Sequence, residues 1–67
     1  MISVNGQPSP AASGQTVAEL LVAMGVDPAL RGVAVAVDGC ILPRSQWPAH
    51  ELRSDARVEV LTAMQGG

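Results

Sequence analysis

Thr16-Val17-Ala18-Glu19 opens the clearest local signal in the chain, and it constrains the fold more than any other feature. The Thr16 hydroxyl can accept from the Glu19 backbone N–H while the Glu19 side chain reaches back to the Thr16 N–H, a capping box. Val17, Leu20, Leu21 and Met24 then recur at helical spacing and form a single apolar stripe. Gly25 provides a left-handed end, and Pro28 prevents easy continuation. A short helix with one apolar face has to be covered by something else.

The flanking segments carry the period of strands. Met1 to Asn5 alternates, with Ile2 and Val4 on one face and Ser3 and Asn5 on the other. Gly6-Gln7 is expected to turn that strand, and Ser9 to Ala12 to return beside it as an edge strand, where Pro8 and Pro10 are tolerable. Val33-Ala34-Val35-Ala36-Val37 puts valines on one face and alanines on the other. Asp38-Gly39 is a two-residue hairpin signal leading to Cys40-Ile41-Leu42, which Pro43 stops. Ser45-Gln46-Trp47-Pro48 has the look of a capped short turn of helix, and Ser54-Asp55 of another turn. Arg57 to Thr62 alternates again as a last strand.

The order strand, strand, helix, strand, short strand, short turn, strand predicts an α+β fold. One main helix lies across one face of a mixed four- to five-stranded sheet. Ile2, Val4, Val17, Leu20, Leu21, Val35, Val37, Leu52, Val58 and Val60 are its expected core. Leu61, Ala34 and Ala36 fall on the other face, which is expected to be an apolar docking patch.

With 67 residues the chain holds one domain. A chain of this size buries only about 60% of the surface it exposes when unfolded, so about 3–10 kcal/mol of stability is expected. A substrate-sized cleft of ~300–1,000 Å³ is not expected within this chain alone. Four arginines without a lysine, and a net charge of −2, leave no basic stripe for nucleic acid. Apolar runs such as Ala34 to Val37 with its neighbours fall far short of the ~20 residues that span a bilayer. Met1-Ile2-Ser3-Val4 lacks the basic start and apolar stretch of a signal peptide, so a cytoplasmic location is expected.

Catalytic groups are scarce. One cysteine, Cys40, excludes an internal disulfide, and with one histidine, His50, it cannot make a three- or four-ligand zinc site without a partner chain. No basic neighbour in sequence would activate the Cys40 thiol, so it counts as a small hydrophobe in a strand and His50 as a surface or boundary residue. No Ser/His/Asp set, phosphate-cradling glycine loop or converging carboxylate pair is evident, and no bound cofactor or metal is implied.

What remains is Ala63-Met64-Gln65-Gly66-Gly67, expected to be a flexible tail after a domain spanning 1–62. Two glycines at a chain end arise by chance in about one chain in two hundred, which is enough to ask what they do. Glycine has no Cβ, so a Gly-Gly end can enter a narrow channel and adopt backbone angles closed to other residues. A carboxylate is a poor electrophile at neutral pH. An ATP-dependent partner can turn it into an acyl-adenylate, from which a sulfur or amine nucleophile displaces AMP. Every catalytic group would then sit on the partner.

The chain resembles the ThiS-type sulfur carriers of thiamine biosynthesis, which share the ubiquitin-like β-grasp fold. The resemblance covers essentially the whole sequence. It rests on Gly14-Gln15-Thr16-Val17 with Glu19-Leu20-Leu21, on Ala34 to Val37, on Ile41-Leu42-Pro43-Arg44-Ser45-Gln46-Trp47, and on Gly66-Gly67. The Pro-Arg-x-x-Trp segment is the most specific of these. The family implies adenylation of Gly67 by a ubiquitin-activating-like enzyme, with ATP used by that partner. A sulfur donor enzyme then supplies the sulfur of a C-terminal thiocarboxylate, and thiazole synthase receives it. Gly66 is the slim approach, Leu61 and Met64 are candidate partner contacts, Arg44 is either such a contact or a solvated charge, and Trp47 is expected to pack as a lid on one end of the core.

Three other readings share these features. A carrier for molybdopterin or cysteine synthesis would have the same fold and tail. A ubiquitin-like modifier would be conjugated to target lysines, although the absence of lysine here rules out self-linked side-chain polymers. A plain β-grasp interaction module would carry its glycines incidentally.

Overall fold

The computed structural model describes residues 1–63. Strands β1 (Ser3–Val4), β2 (Gln7–Pro8), β3 (Val33–Val37), β4 (Cys40–Ile41) and β5 (Arg57–Thr62) form one mixed sheet in the order β2-β1-β5-β3-β4. Helix α1 (Val17–Ala23) and a 3-10 turn (Arg44–Gln46) complete the order of elements. First and last strands are parallel neighbours, with Ser3 beside Arg57 and Val4 beside Val58. All other pairings are antiparallel. This is the β-grasp arrangement.

The capping box forms as the sequence predicts. Glu19 N–H donates to Thr16 Oγ1 at 3.2 Å, and Thr16 N–H donates to Glu19 Oε1 at 2.8 Å. Two more helix-start donors are satisfied from far along the chain: Val17 N–H by the His50 carbonyl and Ala18 N–H by that of Trp47. At the other end Gly25 is left-handed (φ +80°). Its N–H donates to the Val22 carbonyl and that of Val26 to the Leu21 carbonyl, which is a Schellman closure.

Three expected boundaries move. The second strand is Gln7–Pro8, not Ser9 to Ala12, because the chain reverses at Asn5-Gly6 rather than at Gly6-Gln7. Both turn residues have positive φ (52° and 81°), the same geometry as Asp38-Gly39 (51° and 84°) in the β3–β4 hairpin. Pro8 and Pro10 have no N–H to carry a ladder further, and Ser9 N–H makes one last bond to the Ile2 carbonyl. Leu42 lies beyond β4, although its N–H still donates to the Val35 carbonyl. The 3-10 turn starts at Arg44 and has no side-chain cap.

The core lies between α1 and one face of the sheet. Nine of the ten expected residues are buried; the exception is Val4, partly buried at the margin. Val33, Ala56 and Trp47 are buried as well. Trp47 is 2% exposed and belongs to the core itself, with its indole N–H donating to the Leu42 carbonyl at 3.0 Å.

Candidate functional site

β3 and β5 present their alternate residues to the face that α1 does not cover. In register, Ala34 lies beside Leu61 and Ala36 lies between Glu59 and Ile41. Leu61 is 69% exposed and Ile41 75%. These side chains, with the alanines, Gly39 and Glu59, line a shallow, mostly apolar depression. The small alanines leave the sheet surface low between the two large aliphatic residues. Leu61, Ala34 and Ala36 therefore share one face, as expected. Ile41 joins it, because the two-residue Asp38-Gly39 turn pairs it with Ala36.

The last strand delivers the chain out of this sheet. Thr62 pairs with Val33, and Ala63 N–H then donates to the Gly32 carbonyl at 2.7 Å. Gly32 has φ +82°, and a Cβ placed on it would come within 3.1 Å of the Ala63 Cβ. Only glycine gives both that backbone angle and that approach. Met64, Gln65, Gly66 and Gly67 lie outside the described residues.

Arg44 is not on the open face. Its guanidinium donates through Nη1 to the Pro28 carbonyl and through Nη2 to the Leu30 carbonyl at 2.6 Å. It also stands 4.6 Å from the centroid of the Trp47 ring.

Cys40, His50, Glu51 and Arg53 line a second depression at the other side of the β3–β4 hairpin. Among the described residues no group of three His, Cys, Asp or Glu side chains is placed to hold a metal ion. Nor, among them, is any helix long and apolar enough to cross a membrane.

A β-grasp domain with one open apolar sheet face beside its last strand belongs to the ubiquitin-like class. Comparison with known proteins gives the family within that class. Residues 2–67 match the ThiS family. The chain is 40% identical to the sulfur carrier protein ThiS of Thermus thermophilus over 67 residues, the full length of both. It is 35% identical to the Escherichia coli sulfur carrier protein ThiS over 66 residues, 98% of this chain and 97% of that one. The crystal structure of a thiamine biosynthesis protein (ThiS) from Geobacter metallireducens superimposes with a TM-score of 0.77 at 37% identity, covering 98% and 97% of the two chains. The solution structure of a thiamine biosynthesis protein from the same organism gives a TM-score of 0.79, also at 37% identity, over 98% of this chain and 86% of that one. This chain belongs to the ThiS family, whose members are carrier proteins and not enzymes.

Proposed function

We propose that this protein is a sulfur carrier of thiamine biosynthesis, with Gly67 as the residue that bears the sulfur. The observation that carries the reading is the family match itself, which runs from residue 2 through Gly66 and Gly67.

The chemistry follows from the weakness of a carboxylate as an electrophile. A Gly67 carboxylate oxygen attacks the α-phosphorus of ATP on an adenylating enzyme, and pyrophosphate leaves. A sulfur nucleophile provided by a donor enzyme then attacks the acyl carbon, and AMP departs with the original carboxylate oxygen. Hydrosulfide as the nucleophile gives the thiocarboxylate directly. The outer sulfur of a donor-enzyme persulfide instead gives an acyl disulfide, whose S–S bond a further thiol then reduces, becoming a disulfide itself as the thiocarboxylate is released. Either route exchanges one oxygen for one sulfur. Thiazole synthase takes that sulfur as the thiazole ring is built. Gly66 and Gly67 suit this role because neither has a Cβ to obstruct a narrow active-site channel.

Docking to the adenylating enzyme uses the open sheet face, with Leu61 and Ile41 as its large apolar contacts and Met64 as the next along the chain. Both aliphatic side chains are well exposed, which favours this reading.

Intact-mass measurement after incubation with the adenylating enzyme, ATP and a sulfur donor tests the proposal. A gain equal to one oxygen-for-sulfur exchange is expected, and deletion of Gly67 should abolish it. An isopeptide-linked product would point to a protein modifier instead. Unchanged mass in the complete mixture would count against the carrier role.

A further inference from the structure

The Pro43-to-Trp47 segment is far in sequence from the C-terminus, yet a continuous set of contacts joins the two. Trp47 is fixed in the core by burial and by its indole bond to the Leu42 carbonyl. The Arg44 guanidinium lies against that ring and donates to the carbonyls of Pro28 and Leu30, two residues apart in the loop between α1 and β3. Asp27 supports the same loop, with its Oδ1 accepting from Ala29 N–H at 2.9 Å. At the end of the loop, the Gly32 carbonyl receives the Ala63 N–H, and the missing Gly32 side chain leaves room for the Ala63 methyl.

We propose that Arg44 and Gly32 are positioning residues for the C-terminal segment. In this reading Trp47 anchors Arg44, Arg44 sets the course of residues 28–32, and Gly32 sets where and in which direction the chain leaves the sheet at Ala63. The inference rests on the reading of Gly67 as the reactive residue, because a set departure point matters only if the end must reach a partner's active site. Its physical value is pre-organisation: holding the base of a reaching segment reduces the conformations that miss the target. An arginine suits the task where a lysine does not. Its planar fork serves two carbonyls at once while one face lies on an aromatic ring. With those donors engaged inside the chain, Arg44 affects the partner reaction through the loop it holds rather than by direct contact.

The test compares Arg44→Gln, Arg44→Lys and Gly32→Ala with wild type, and uses Arg53→Gln as a control for loss of one positive charge. Three quantities are read for each: amide hydrogen exchange of Ala63 referenced to Val58, affinity for the adenylating enzyme, and kcat for adenylation. Loss of the brace should speed Ala63 exchange about five- to tenfold, the scale of one ordinary hydrogen bond. Val58 should keep its wild-type protection, affinity should stay the same, and kcat should fall. Arg44→Lys should recover only part of the effect, and Arg53→Gln should match wild type. Ala63 exchange unchanged in both Arg44→Gln and Gly32→Ala would overturn the proposal. So would weaker affinity with unchanged Ala63 exchange, which would make Arg44 a direct contact. If wild type itself is not adenylated, the carrier reading fails, while faster Ala63 exchange in the variants would still support the brace.

Discussion

The side chain of Asn5 stands in for a strand beside Val60. Val60 N–H donates to Asn5 Oδ1 at 2.8 Å, and Asn5 Nδ2 donates to the Val60 carbonyl at 3.2 Å. β1 turns away after Val4, and the Asn5 amide extends its ladder along β5 by one more pair. Asp38, in the other left-handed turn, does a similar job, accepting from Arg57 N–H at 2.9 Å. Each hairpin turn is thus stitched to the same central strand.

Replacing Asn5 with Ala should destabilise the protein by about 1–3 kcal/mol, because both polar groups of Val60 lose their partners. The left-handed backbone at Asn5 adds to that cost, whereas Asn5→Gly keeps the turn and loses only the bonds. Urea unfolding of both variants checks this, with Asn5→Ala expected to be the less stable.

Trp47→Ala should cost about 3–5 kcal/mol, the usual scale for removing a large buried aromatic side chain. That is a large share of the ~3–10 kcal/mol expected for the whole fold. Circular dichroism is therefore expected to show a much lower melting temperature or an unfolded chain at 25 °C. Trp47→Phe should be milder, since it keeps most of the apolar volume and leaves only the Leu42 carbonyl without its donor.

Thr16→Ala should lower stability by about 1 kcal/mol. The loss stays modest because the His50 and Trp47 carbonyls still satisfy the N–H groups of Val17 and Ala18. A lower urea midpoint with an unchanged slope is the expected result, and Thr16→Ser should restore most of it.

Leu61→Asp should change stability by no more than about 1 kcal/mol, since the side chain faces solvent. Its effect should appear in binding, as a loss of about tenfold or more in affinity for the adenylating enzyme. Titration calorimetry with both proteins decides the matter, and equal affinities for the variant and wild type would remove Leu61 from the docking face.

The features legible from sequence were those carried by neighbours along the chain. The Thr16–Glu19 box, the alternating valines of β3 and the strand from Arg57 to Thr62 all declare themselves within a few residues. The first hairpin turns one residue earlier than the alternation implies, because Asn5 fits the pattern of Ile2 and Val4 and masks an Asn-Gly turn of the same kind as Asp38-Gly39. Long-range contacts left no such local mark. The contact between Gly32 and Ala63 is not encoded by spacing. Trp47 packs on the core as expected, and its carbonyl also accepts the Ala18 N–H at the helix start, a contact that no local pattern declares. Of the candidate site, the apolar sheet face was legible from alternation alone, while the internal engagement of Arg44 required the fold.

The parallel pairing of β1 with β5 also has a mechanical consequence. Tension between the N-terminus and the chain beyond Ala63 pulls these two strands in opposite directions along their lengths. The bonds from Ser3 N–H to the Ala56 carbonyl and from Asn5 N–H to the Val58 carbonyl then share the load as a shear. On its other flank β5 is held by five register pairs with β3. A hairpin opened from its ends would yield one bond after another; here the strand must slip against both neighbours together. A pull on the C-terminal end is therefore carried into the central strand of the sheet, which is paired on both sides.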